Sequence, residues 1–167
     1  MNIRKDLEAL EAMLVYWNMV LDREKVSDMY ISDLAGMPQF SAIFDGEFGP
    51  EQFRRVLSAV SNRELLNGMV PKEARFWNNN LYILEDREQL ARMTEPLKAL
   101  AAGDLAEGSG DRTITVSFVP MTTEEYLVKD DTLYVNFFRI MASPWEPGLT
   151  IGGTELTTWL KEKISTI

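Results

Sequence analysis

Two residue types are missing altogether from this 167-residue chain, cysteine and histidine. Without cysteine there are no disulfides, thiol nucleophiles, iron–sulfur clusters or zinc ribbons. Without histidine the usual general base near neutral pH, the commonest transition-metal ligand and the Ser–His pair are gone as well. Carboxylates, Lys, Tyr and hard divalent cations are the remaining chemistry, and no catalytic residue, cofactor or transition metal is expected. Basic residues are scarce: 17 Lys and Arg stand against 26 Asp and Glu, a net charge of −9. Acidic residues outnumber basic ones in each of the segments 1–67, 68–111 and 112–167. Phosphate contacts dominate nucleic-acid affinity, so an evenly acidic chain with no Lys/Arg cluster argues against DNA and RNA and for a basic protein partner. Long apolar runs are absent too. The longest, residues 13–17, is far too short to span a bilayer. MNIRKDLEALEAM sets charges where a signal peptide needs its apolar region, so the expectation is a cytoplasmic protein without membrane contact.

What is present reads as an α+β chain: a helical N-terminal half, then a small, mainly antiparallel sheet with a C-terminal helix. At 46% hydrophobic it is expected to form a single domain over residues 1–167, helical over about 1–103, with sheet and terminal helix over about 112–167. Ile3, Leu7, Leu10, Leu14, Trp17 and Leu21 recur at steps of four and three, predicting one helix from residue 3. Val26, Tyr30 and Leu34 continue a helical stripe to the Gly-Met-Pro stop at Gly36. Pro50 opens a helix buried through Phe53, Val56, Leu57 and Val60. Ser61 and Glu64 have capping-box spacing for a short turn ending at Gly68. Asp86 and Gln89 have the spacing of an N-cap and its N3 partner, with Leu90, Met93 and Leu97 behind them. Pro96 predicts a kink there, or a restart capped by Thr94.

FWNNNLYILED, upstream of that cap, is the least regular stretch. Three consecutive Asn disfavour a helix, so the expectation is a turn at Asn78, Asn79 and Asn80 and a short strand over residues 81–84. Asn amides also suit ligand recognition, which makes the same three residues candidate ligand-binding groups.

After the Gly-rich connector at residues 103–112, ITVSF alternates like a half-solvated strand. A hairpin follows, turning at Asp130 and Asp131, with a second arm apolar on both faces. Such an arm belongs at a sheet centre and predicts that Val135 and Phe138 are fully buried. A short strand at residues 149–151, the turn Gly152-Gly153 and a last helix capped by Thr154 complete the pattern. In SPWEPG, Trp145 sits between two prolines that stiffen the loop. It is either a lid folded on the sheet end or, with Glu146, a rigid anchor presented to a partner.

Glu8 and Glu11, with Glu24 and Asp28, loosely resemble the ExxE…ExxD pattern of all-α nucleotide pyrophosphohydrolases. The resemblance implies Mg²⁺ held on helix-borne carboxylates. The second pair here is spaced by four, and Glu8 and Glu11 share the polar stripe of Arg4, Asn18 and Asp22 beside the apolar seam. A solvated face with an Arg4–Glu8 pair is the expectation. The functional order is therefore a non-catalytic binding protein for a basic partner, of the inhibitor or immunity type. A small-molecule binder with a pocket between sheet and helices comes second, and a carboxylate–Mg hydrolase third.

Overall fold

The chain opens with a strand where the heptad spacing predicts helix. The computed structural model describes all residues, Met1–Ile167, and in it β1 (Asn2–Asp6) pairs in parallel with β2 (Thr113–Val119), Ile3 opposite Ile114. Helix α1 (Glu8–Leu21) starts only after Asp6, whose Oδ1 accepts the Glu8 N–H at 3.0 Å. Ile3 and Leu7 fit a helical period, but the backbone of residues 2–6 finds its hydrogen bonds across the sheet, and pairing overrides the pattern. Arg4 is consequently a strand residue and makes no ion pair with Glu8.

Five helices follow: α2 (Asp28–Ala35), α3 (Pro38–Ile43), α4 (Pro50–Asn62), α5 (Pro71–Ile83) and α6 (Arg87–Ala99). Three of them begin on proline, whose fixed φ and missing N–H suit a first helical position. Ser27 caps α2, and Asp86 caps α6 by accepting from the Glu88 and Gln89 amides, as the spacing predicts. No turn begins at Ser61. That residue stays inside α4, which is closed by Arg63 in a left-handed conformation (φ 57°). Pro96 neither ends nor restarts α6: the helix runs through it, and the Thr94 hydroxyl donates back to Leu90 O at 3.0 Å. Lys5, on β1, donates from Nζ to Leu97 O, Lys98 O and Leu100 O at 2.9, 2.8 and 2.7 Å. A cation there satisfies the orphan carbonyls of α6 and ties the first strand to the last helix of this half.

The first sheet has the order β1-β2-β4-β3, with β3 (Tyr126–Lys129) and β4 (Thr132–Asn136) forming the expected hairpin. β2 and β4 run parallel, so residues 120–125 must cross the end of β4 to reach the edge. Asn136 holds that crossing. Buried at the end of β4, it accepts the Met121 and Phe138 amides and donates to Thr122 O and Glu124 O. The second sheet, β5 (Ile140–Ala142), β6 (Leu149–Ile151) and β7 (Thr154–Glu155), is antiparallel throughout. Gly152 and Gly153 turn between its last two strands at φ 57° and 83°, a region that favours glycine. Helix α7 (Leu156–Ile164) is capped by Glu155, one residue beyond the expected Thr154.

Val135 is fully buried, as the two-faced pattern requires, but Phe138 is only half-buried. The strand stops at Asn136, and a 3₁₀ turn over Phe137–Arg139 swings Phe138 off the sheet axis to pack against Trp17 and Phe76. Thirty-seven buried apolar residues from both halves form one hydrophobic cluster. Phe40, Phe48, Phe53 and Phe76 make its aromatic centre, and Trp17 stacks on Phe137 at 5.7 Å. The fold class is α+β, as predicted. No helix is long and apolar enough to cross a membrane.

Candidate functional site

The loop between β5 and β6, residues 143–148, carries the most exposed aromatic side chain of the molecule. Trp145 is 90% exposed, so it is not a lid on the sheet. Its backbone N–H donates to Ser143 Oγ at 3.1 Å, and Gly148 closes the loop at φ 94°. With Pro144 and Pro147 removing backbone freedom on either side, the indole stands on a frame that has little entropy left to lose. Two grooves border the loop. One lies between the α5–α6 connection and β5, lined by Tyr82, Met141 and Pro144 together with Glu85, Asp86 and Arg92. The other runs along α6 and is lined by Glu95, Pro96, Glu146 and Pro147 together with Arg92. Met141 and Tyr82 are exposed apolar groups at the rim. Arg92 already faces Asp86 at 3.7 Å and Glu88 at 3.9 Å. Four carboxylates and one committed guanidinium therefore line the two grooves beside the loop. Gln89 Nε2 donates to Ala142 O at 3.0 Å and fixes β5 against α6.

The three asparagines do not form a turn. They lie in α5, with Asn78 exposed, Asn79 half-buried and Asn80 fully buried, as successive steps of about 100° on a helix demand. Residues 81–83 are helical too, so the expected strand there is absent. Asn80 Oδ1 accepts the Trp17 indole N–H at 2.8 Å, and its Nδ2 donates to Phe76 O at 2.8 Å. These buried hydrogen bonds offset the helix-propensity cost of roughly 2 kcal/mol for three asparagines. The three side chains point in different directions and do not converge on a ligand.

Other polar contacts were invisible in the sequence. Glu73, 1% exposed, receives Arg55 bidentately at 2.7 Å through both carboxylate oxygens. Lys72 bridges Asp45 at 2.5 Å and Glu124 at 3.0 Å, which joins α5 to two loops. Partial burial opposes ionisation of Asp45 and of Glu124. The Lys72 ammonium, aided by backbone amides, outweighs it and holds both carboxyls below the usual range. Asp6 Oδ2 accepts from Gln39 Nε2 and Ser117 Oγ, each at 3.1 Å. Of the four carboxylates in the pyrophosphohydrolase-like pattern, Glu8 and Glu11 occupy the first turn of α1, Asp28 opens α2, and Glu24 lies exposed between these helices. No group of three or more carboxylates converges anywhere in the molecule. A cavity of about 500 Å³ lies among the ends of α1, α4 and α5 and not between sheet and helices. Comparison with protein-family models, curated proteins and solved structures finds no match for this chain.

Proposed function

We propose that the chain is a non-catalytic binding protein that captures a basic protein segment on the loop at residues 143–148. The observation carrying this reading is Trp145: a 90% exposed indole on a proline-framed loop that two carboxylate-lined grooves border. Rigid aromatic anchors with little rotamer entropy to lose dominate interface energetics, while surrounding charge steers encounter and selects the partner. An extended Lys/Arg-rich segment with an apolar residue at its centre matches both features. Its cations would lie along Glu85, Asp86, Glu95 and Glu146, and its apolar residue against Trp145 and Met141.

The test is a titration of the chain with an arginine- and leucine-containing peptide and with its glutamate-containing counterpart. Trp145→Ala is expected to weaken binding of the basic peptide by about 2 kcal/mol or more with thermal stability nearly unchanged. Association is expected to slow as salt screens the attraction over about 8 Å at physiological ionic strength. Equal affinity for the acidic peptide, or affinity unchanged in Trp145→Ala, overturns the reading.

A further inference from the structure

The cavity among the helix ends shares no lining residue with the Trp145 grooves. Its apolar floor is built from Val20 of α1, Val60 of α4, and Trp77 and Leu81 of α5, with Leu84 just beyond. On its rim, in the connection from α4 to α5, Leu65 projects into solvent at 89% exposure. Beside Leu65 stand Glu64, Arg23 and Arg63, none of which makes an ion pair. Asp22, the neighbour of Arg23 in sequence, is already bound by Arg87 at 2.7 Å. Arg63 Nη2 donates to Val20 O at 3.2 Å, which holds that side chain over the end of α1.

One patch thus carries a protruding apolar side chain, an apolar hollow of about 500 Å³, and unpaired charges of both signs. A two-fold axis needs this combination, because an isologous interface must present to itself everything it receives. A small ligand would account for the hollow and leave the exposed leucine unexplained. A second copy accounts for both. We infer that this face is the interface of a homodimer. Leu65 of each copy enters the hollow of the other against Trp77 and Leu81, and Glu64 meets Arg23 and Arg63 across the axis.

Sedimentation of the wild-type chain over rising concentration is expected to show a monomer–dimer equilibrium, with a melting temperature that climbs with concentration. Leu65→Asp, at an exposed position that folding does not need, is expected to raise the dissociation constant about tenfold or more. Trp145→Ala is expected to leave it unchanged, which separates this interface from the partner surface. A wild-type chain that stays monomeric throughout overturns the inference, whether or not an amphiphile occupies the hollow. A dimer that survives Leu65→Asp overturns it equally.

Discussion

The region around Trp17 and the loop around Trp145 use the same side chain in opposite ways. Trp17 lies within the core, stacked on Phe137 and donating its indole N–H to Asn80. Trp145 has no packing partner among the aromatic contacts and stands in solvent on a frame of two prolines. The difference lies in what the neighbours supply. A tryptophan can be buried where something accepts its N–H, and the helix of α5 brings Asn80 to that point. At residue 145 the chain supplies stiffness in place of an acceptor. Apolarity of the residue alone therefore says little about its place; the polar partner decides.

Substitutions can break this comparison. The largest effect is expected from Trp17→Ala, a loss of about 3–5 kcal/mol in urea denaturation, because a large buried ring leaves a cavity. A loss below about 1 kcal/mol would mean that Trp17 is not core. Asn80→Leu is expected to cost about 1–3 kcal/mol by orphaning the Trp17 indole N–H. In the double variant with Trp17→Phe that cost should shrink, giving a coupling above about 0.5 kcal/mol; strict additivity would show that the hydrogen bond carries no stability.

A smaller effect, about 0.2–1 kcal/mol at neutral pH, is expected for Lys72→Met, since its carboxylate partners are largely exposed. The sign with pH is fixed. Asp45 and Glu124 have folded pKa values below their unfolded ones, so their contribution is full above the ordinary carboxylate range near about pH 4 and is lost as pH falls through the folded values. Acid titration of the variant should lack that part of the loss. The smallest effect belongs to Trp145→Ala, within about 0.5 kcal/mol of wild type, with loss of the most solvent-exposed fluorescence component.

Much of the helical half was legible because its signals are local. Pro50 and Asp86 mark helix starts through backbone groups a few residues away, and Phe53, Val56, Leu57 and Val60 all lie on one buried face. The hairpin at Asp130 and Asp131 was legible for the same reason. The failures are tertiary. β1 is a strand only because β2 lies beside it, more than a hundred residues later. The asparagines are helical because Trp17 needs an acceptor, although Glu73, Phe76, Asn80 and Ile83 already show the 3-4-3 spacing of a buried stripe that polar residues disguise. Phe138 leaves the strand because Asn136 turns the chain to hold the crossing loop. For the candidate site, the prolines of SPWEPG announced a rigid loop. Three of the four carboxylates beside it, Glu85, Asp86 and Glu95, come from α6 and its preceding turn, distant in sequence. The exposed Leu65 beside an apolar hollow gave no sequence signal.

The parallel pairing of β1 with β2 also sets an order of events during synthesis. Asp6 cannot meet Ser117 until 111 further residues exist. At ribosomal rates of about 5–20 residues per second, the first strand waits roughly 6–22 s without its partner. Through that interval the emerging helices can pack, while residues 2–6 offer an open β-edge to any other nascent chain. Arg4, Lys5 and Asp6 put three charges on that edge, the composition that discourages wrong pairing. When β2 arrives, Lys5 and Asp6 become interior fastenings, to the end of α6 and to Ser117. The same charges guard the strand before folding and lock it afterwards.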